Sequence, residues 1–117
     1  MAGLGSYDKA LECMEKEDYA QAKDYLEKAL EEGEIEAYCD LGNLYFEGKG
    51  VGQDYKRAFD YYQNGAKAGD PYCMDSLGIC YFWGYGVDTD VQKAAFYTEK
   101  AAKAGIERAM YDTGLNY

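Results

Sequence analysis

GKGVGQDYKRAFDYYQNGAKAG, residues 48–69, returns as GYGVDTDVQKAAFYTEKAAKAG at residues 84–105. Each position of the first stretch meets its counterpart 36 residues later. The same step carries Leu41, Gly42, Tyr45 and Phe46 onto Leu77, Gly78, Tyr81 and Phe82. Upstream, Ala22, Asp24, Tyr25 and Gly33 precede Ala58, Asp60, Tyr61 and Gly69 by 36. Downstream, Met110, Gly114 and Tyr117 follow Met74, Gly78 and Tyr81 by 36. A period of this length marks stacked supersecondary units, none able to bury its apolar face alone. The reading is one all-α repeat domain over residues 1–117: a first hairpin at 6–35, full units at 36–70 and 71–106, and a partial unit or capping helix at 107–117.

Each unit reads as two helices. Between Glu36 and Glu47, the residues Ala37, Tyr38, Leu41, Leu44 and Tyr45 recur at helical spacing and form one apolar stripe. Gly48 and Gly50 interrupt it, and Val51 is expected to plug the loop back onto the helices. Asp18, Asp54 and Asp90 precede the second helices, where a carboxylate can accept from free amides. Ala58, Tyr61, Tyr62 and Ala66 form the next stripe. Gly33, Gly69 and Gly105 are expected to stop the second helices, and Asp70-Pro71 to restart the chain with a cap and a proline at the first helical position. Gly42 and Gly78 fall mid-helix, at a cost of about 1 kcal/mol each against Ala. Close approach of a neighbouring helix would account for them. The first unit has the short connection MEKEDY and a charged second helix, Tyr19 to Glu32, suited to an end facing water.

The formal charge of −10 disfavours nucleic acid and anionic lipid as partners. It favours a protein or peptide with basic and hydrophobic residues. No run approaches the roughly 20 apolar residues of a membrane helix. MAGLGSYDKALE lacks the basic end and long apolar run of a secretory signal, so a cytoplasmic location is expected. Cys13, Cys39, Cys73 and Cys80 sit in apolar helical contexts without a CxxC pair, and are read as buried free thiols.

At LGNLYFEGKGVGQDYKRAFDYYQNGAKAG, residues 41–69, the chain resembles the Sel-one-like repeat family, relatives of tetratricopeptide repeats. LG, a Tyr three residues after that Gly, GxGV, Asp, a basic–Ala pair, Tyr and AxAG carry the resemblance, again at 77–105. The resemblance implies a right-handed α/α superhelix and adaptor work in holding protein partners. One cysteine-rich branch binds or hydrolyses β-lactams. Its paired cysteines correspond here to Gly65, Ala66, Ala101 and Ala102, so that activity is not carried over.

Nothing in the residues points to catalysis. The chain has no His, which removes Ser–His and Cys–His pairs and imidazole metal sites. Cys73 and Cys80, seven apart, are two thiols without further ligands and are assigned to the core. Asp88 and Asp90 lack the Gly and Glu of a calcium loop, and GKGVG lacks the continuation of a phosphate loop. No cofactor or metal is expected. The expected function is a non-enzymatic scaffold whose first helices line a concave face. Cys39, Asn43, Phe46 and Glu47 of the second unit face it, followed by Asp75, Ile79, Phe82 and Trp83 of the third, and by Tyr111, Asp112 and Leu115. Phe46, Phe82 and Trp83 would form an apolar strip rimmed by Asp40, Glu47 and Asp75. The alternative is a structural or engineered solenoid piece, with the final helix as a lid over Tyr97 and Ala101 or with an open end that stacks on another copy as a weak dimer.

Overall fold

A computed structural model describes the backbone of residues 5–112 and the side chains of residues 5–105. Its elements are α1 (Ser6–Glu15), α2 (Tyr19–Glu31), α3 (Glu36–Glu47), α4 (Tyr55–Lys67), α5 (Pro71–Trp83) and α6 (Val91–Asp112). No strand occurs among the described residues. Helices pack in chain order as hairpins α1–α2, α3–α4 and α5–α6, joined through α2–α3 and α4–α5, with α3 also reaching α5. The result is an α/α solenoid of 42 × 38 × 23 Å.

The 36-residue step is a step in space as well as in sequence. Tyr45 stacks on Tyr61 with centroids 5.7 Å apart, and Tyr81 stacks on Tyr97 at 5.9 Å. Arg57 lies 5.4 Å over the Tyr45 ring, and Lys93 lies 5.4 Å over Tyr81. The Asp54 amide donates to the Tyr45 carbonyl at 2.8 Å, and the Asp90 amide to the Tyr81 carbonyl at 2.8 Å. Equivalent positions have found equivalent partners, as a stack of like units requires.

The caps follow the residue chemistry. Asp18 accepts from the Gln21 amide at 3.3 Å, Asp54 from Arg57 at 3.1 Å and Asp90 from Lys93 at 3.1 Å. Gly48 and Gly84 end α3 and α5 in the left-handed region, at φ 71° and 79°. The second loop glycine has a further reason. Gly50 and Gly86, at φ 76° and 75°, lay bare backbone on the start of the preceding unit's second helix, at Tyr19 and Tyr55 respectively. A side chain there would collide with main chain, which cannot step aside. In the short first connection Glu17 takes the left-handed place, at φ 60°.

The core forms two continuous clusters. One holds Ala10, Leu26, Ala29, Ala37, Leu41 and Leu44. The other runs from Tyr45 and Ala58 through Cys73, Met74, Leu77 and Tyr81 to Ala94 and Ala101, with Val51 and Val87 folded against it. Gly42 is met by the Tyr62 ring rather than by a helix backbone, whereas Gly78 admits the α6 backbone at Ala94. Phe59, outside the expected stripe, is buried edge-on against Tyr81 of the next unit, with centroids 5.4 Å apart.

Three expectations are corrected. Gly105 does not stop its helix, because α6 runs through it to Asp112. Glycine permits a left-handed turn but does not impose one. After Gly69 comes Asp70-Pro71, which cannot continue a helix, whereas Ile106 and Glu107 offer no such block. Asp70 stands at the N-cap of α5 but makes no capping hydrogen bond, its side chain being buried. Cys39 is half-buried rather than buried; Cys13, Cys73 and Cys80 are buried, and all four are free thiols. The side chains of Tyr111 and Asp112, and the whole of Leu115, lie outside the described residues.

Candidate partner-binding surface

The expected strip divides when its residues are placed. Phe46 is half-buried. Its ring lies 4.9 Å from Tyr55, at the start of α4, and 4.9 Å edge-on from Tyr85, in the loop of the next unit. Tyr55 and Tyr85 lie 4.8 Å apart, so three rings close one cluster. Phe46 is therefore packing, not an open anchor. Asn43 is engaged from the side, accepting from the Tyr62 hydroxyl and approaching the Cys39 sulfur. Burial holds the Tyr62 hydroxyl well above its ordinary pKa, so it stays a donor. Glu47 is exposed and pairs with Lys49 at 3.6 Å. Asp40, expected on the rim, is half-buried and accepts from Tyr7 at 2.6 Å. Its carboxyl is pushed up, chiefly by burial.

Phe82 holds the same repeat position as Phe46 with the opposite outcome: it is 51% exposed, and Trp83 is 64% exposed. The two rings meet edge to face at 4.9 Å. With Ile79 and Val91 they line an apolar groove of about 310 Å³ between α5 and α6, floored by Gly78 and Ala94. Asp75, exposed, lies one turn before Ile79 on α5.

The repeat register explains the groove. Its lining positions 78, 79, 82, 83, 91, 94, 95 and 98 are positions 42, 43, 46, 47, 55, 58, 59 and 62 advanced by one period. In the second unit that face receives the third: Phe59 meets Tyr81, and Phe46 and Tyr55 meet Tyr85. The third unit has Ala95 for Phe59, Thr98 for Tyr62 and Trp83 for Glu47. Two large side chains are trimmed from the floor and one is added at the rim, which turns a filled seam into an apolar trough. Sequence reading singled out Ile79, Phe82 and Trp83 but missed Val91, Ala95 and Thr98. The signal was available: at these three positions the third unit carries a smaller side chain than the second, Val for Tyr55, Ala for Phe59 and Thr for Tyr62.

A profile of the Sel1 repeat matches residues 1–34, 35–70 and 71–106. Among solved structures, the chain is similar to a protective antigen of uropathogenic Escherichia coli strains that displays the SLR fold. Identity is 32% over 94% of this chain and 26% of that one, with a TM-score of 0.80. It is also similar to a Sel1 repeat protein from Oxalobacter formigenes, at 36% identity over 79% of this chain and 37% of that one, with a TM-score of 0.73. The chain thus spans well under half the length of either solved protein. No curated protein sequence matches it.

Proposed function

This chain belongs to the Sel1 repeat family, whose repeats generally mediate protein–protein interaction, and we propose that it is a non-enzymatic module taking a helical protein partner in the α5–α6 groove. The observation that carries this reading is the contrast between Phe46 and Phe82. One repeat position is closed by Tyr55 and Tyr85 in the second unit and left half open in the third. The groove repeats the face that already receives a helix hairpin, so its best-fitting occupant is a helix presenting an aromatic or aliphatic side chain. Exposed aromatic side chains around a small apolar pocket are the usual anchors of such contacts.

The charge argues for a partner other than a second copy. Each chain carries −10, so two copies brought face to face repel each other. A partner helix with basic flanks meets Asp75 beside the groove and the acidic field around it. Trp83 is the chain's only Trp, so its fluorescence reports the groove alone. Titration with an amphipathic peptide bearing Leu and Tyr on one face and Lys on the other should give a saturable shift. The Phe82→Ala variant should weaken binding at least tenfold, while light scattering shows monomer throughout. Equal binding by Phe82→Ala, or dimer formation in place of peptide binding, refutes the reading.

A further inference from the structure

Apart from the groove, one buried cluster is left without a structural role. Cys39 of α3, Asp70 before α5 and Cys73 of α5 bring one thiol, one carboxylate oxygen and a second thiol within 4.8 Å of one another. Among the described residues it is the one such trio of Cys, Asp or Glu.

Asp70 is what marks it. The carboxylate is 4% exposed, and its Oδ2 has no hydrogen-bond partner. A carboxylate oxygen buried without a partner costs free energy of the order of a lost charged hydrogen bond, about 1–3 kcal/mol or more. Asp18, Asp54 and Asp90 avoid that cost by capping their helices. Asp70 stands at the equivalent boundary of α5, makes no cap, and turns inward toward the two sulfurs. No Lys or Arg forms an ion pair with it among the described residues.

The surroundings fit a bound cation. Gly65 of α4 lets the Cys73 sulfur lie against the helix backbone, since a side-chain carbon there would overlap that sulfur. Cys39 is half-buried, which provides an entry path. The Ser76 hydroxyl adjoins the Cys39 sulfur.

We propose that Cys39, Asp70 and Cys73 form a binding site for a thiophilic divalent cation of the zinc type. Two thiolates and a carboxylate are a ligand set that Zn²⁺ and Cd²⁺ accept, and three protein ligands leave a fourth tetrahedral position for water or Ser76. On binding, two metal–sulfur bonds and one metal–oxygen bond form, and each thiol proton passes to solvent. Ligands from α3 and α5 then tie the second unit to the third, so the site doubles as a clamp across the repeat boundary.

Cadmium is the probe, because Cd²⁺–thiolate bonds absorb in the ultraviolet whereas free thiols and carboxylates do not give that band. The full chain, reduced and freed of metal, should bind one Cd²⁺ with the absorbance of two thiolates. The band should halve or vanish in Cys39→Ala, a half-buried position that tolerates the change, and persist in Cys80→Ala, the other buried α5 thiol. Asp70→Asn should weaken binding by at least about tenfold. Absence of the band in the folded parent chain overturns the proposal. So does a band unchanged in Cys39→Ala, Cd²⁺ affinity unchanged in Asp70→Asn, or a Cys39–Cys73 disulfide that forms without releasing the metal.

Discussion

Replacing Gly65 by Ala sets two effects of known sign against each other. Gly65 lies in the last turns of α4, where Ala is favoured over Gly by about 1 kcal/mol on helix propensity alone. The added carbon, however, overlaps the Cys73 sulfur and comes within 2.9 Å of both the Cys73 and Tyr38 Cβ atoms. Those Cβ atoms belong to α5 and α3 and move only with their helices. Overpacking of a closed core costs typically 1–3 kcal/mol, and contacts with two helices at once place this site at the upper end. The net expectation is a loss of about 2 kcal/mol, or a Tm lower by roughly 8 °C for a chain of this size. Gly105→Ala is the control. It lies in α6 with nothing within 4 Å of the new carbon, so propensity acts unopposed and stability rises by up to about 1 kcal/mol. Thermal and urea unfolding followed by circular dichroism measures both. A second variant, Gly65→Ala with Cys73→Ala, should recover part of the loss by removing the sulfur that is struck. If Gly65→Ala is as stable as the parent, the α4–α5 seam is not packed as described and the reasoning fails.

Phe46→Ala and Phe82→Ala change the same residue at the same repeat position. The first opens a three-ring cluster and should cost about 2–3 kcal/mol; the second should cost under about 1 kcal/mol, and similar losses in urea unfolding would contradict the packing described. Asp40 has a folded-state pKa raised above its ordinary 3.8, first by burial and then by the nearby Asp70 and Glu36, with the Tyr7 hydrogen bond opposing. The folded chain therefore binds that proton more tightly than the unfolded chain. The resulting stabilisation is fully present at pH below 3.8 and is lost as pH rises through the raised value. Stability relative to Asp40→Asn should thus improve as pH falls from 7 toward 4, and a pH-independent difference would refute it. Glu17→Gly relieves a left-handed non-glycine residue at the α1–α2 turn and should add about 0.5–1 kcal/mol, read as a higher urea midpoint at unchanged slope.

The parts of this protein that sequence alone determined are those whose chemistry is local or periodic. Asp18, Asp54 and Asp90 cap because a short carboxylate reaches an amide three residues on. The loop glycines at 48 and 84 turn left-handed because side chains disfavour that conformation. The 36-residue period implied equivalent environments, and the repeated Tyr–Tyr stacks and cation–ring contacts show them.

Tertiary structure decided what depends on a neighbour elsewhere in the chain. Phe46 and Phe82 are one residue type at one repeat position, yet Tyr85 closes over the first while the second stays half exposed. Asp70 looks like its capping counterparts in sequence and behaves otherwise, because Cys39 and Cys73 converge beside it from two units. Gly105 shares its motif with Gly69 but lies inside a continuous helix. A motif states what the backbone can do at one point. Whether a side chain is buried, open or drawn into a cluster depends on the volume and charge packed against it, and those arrive from another repeat.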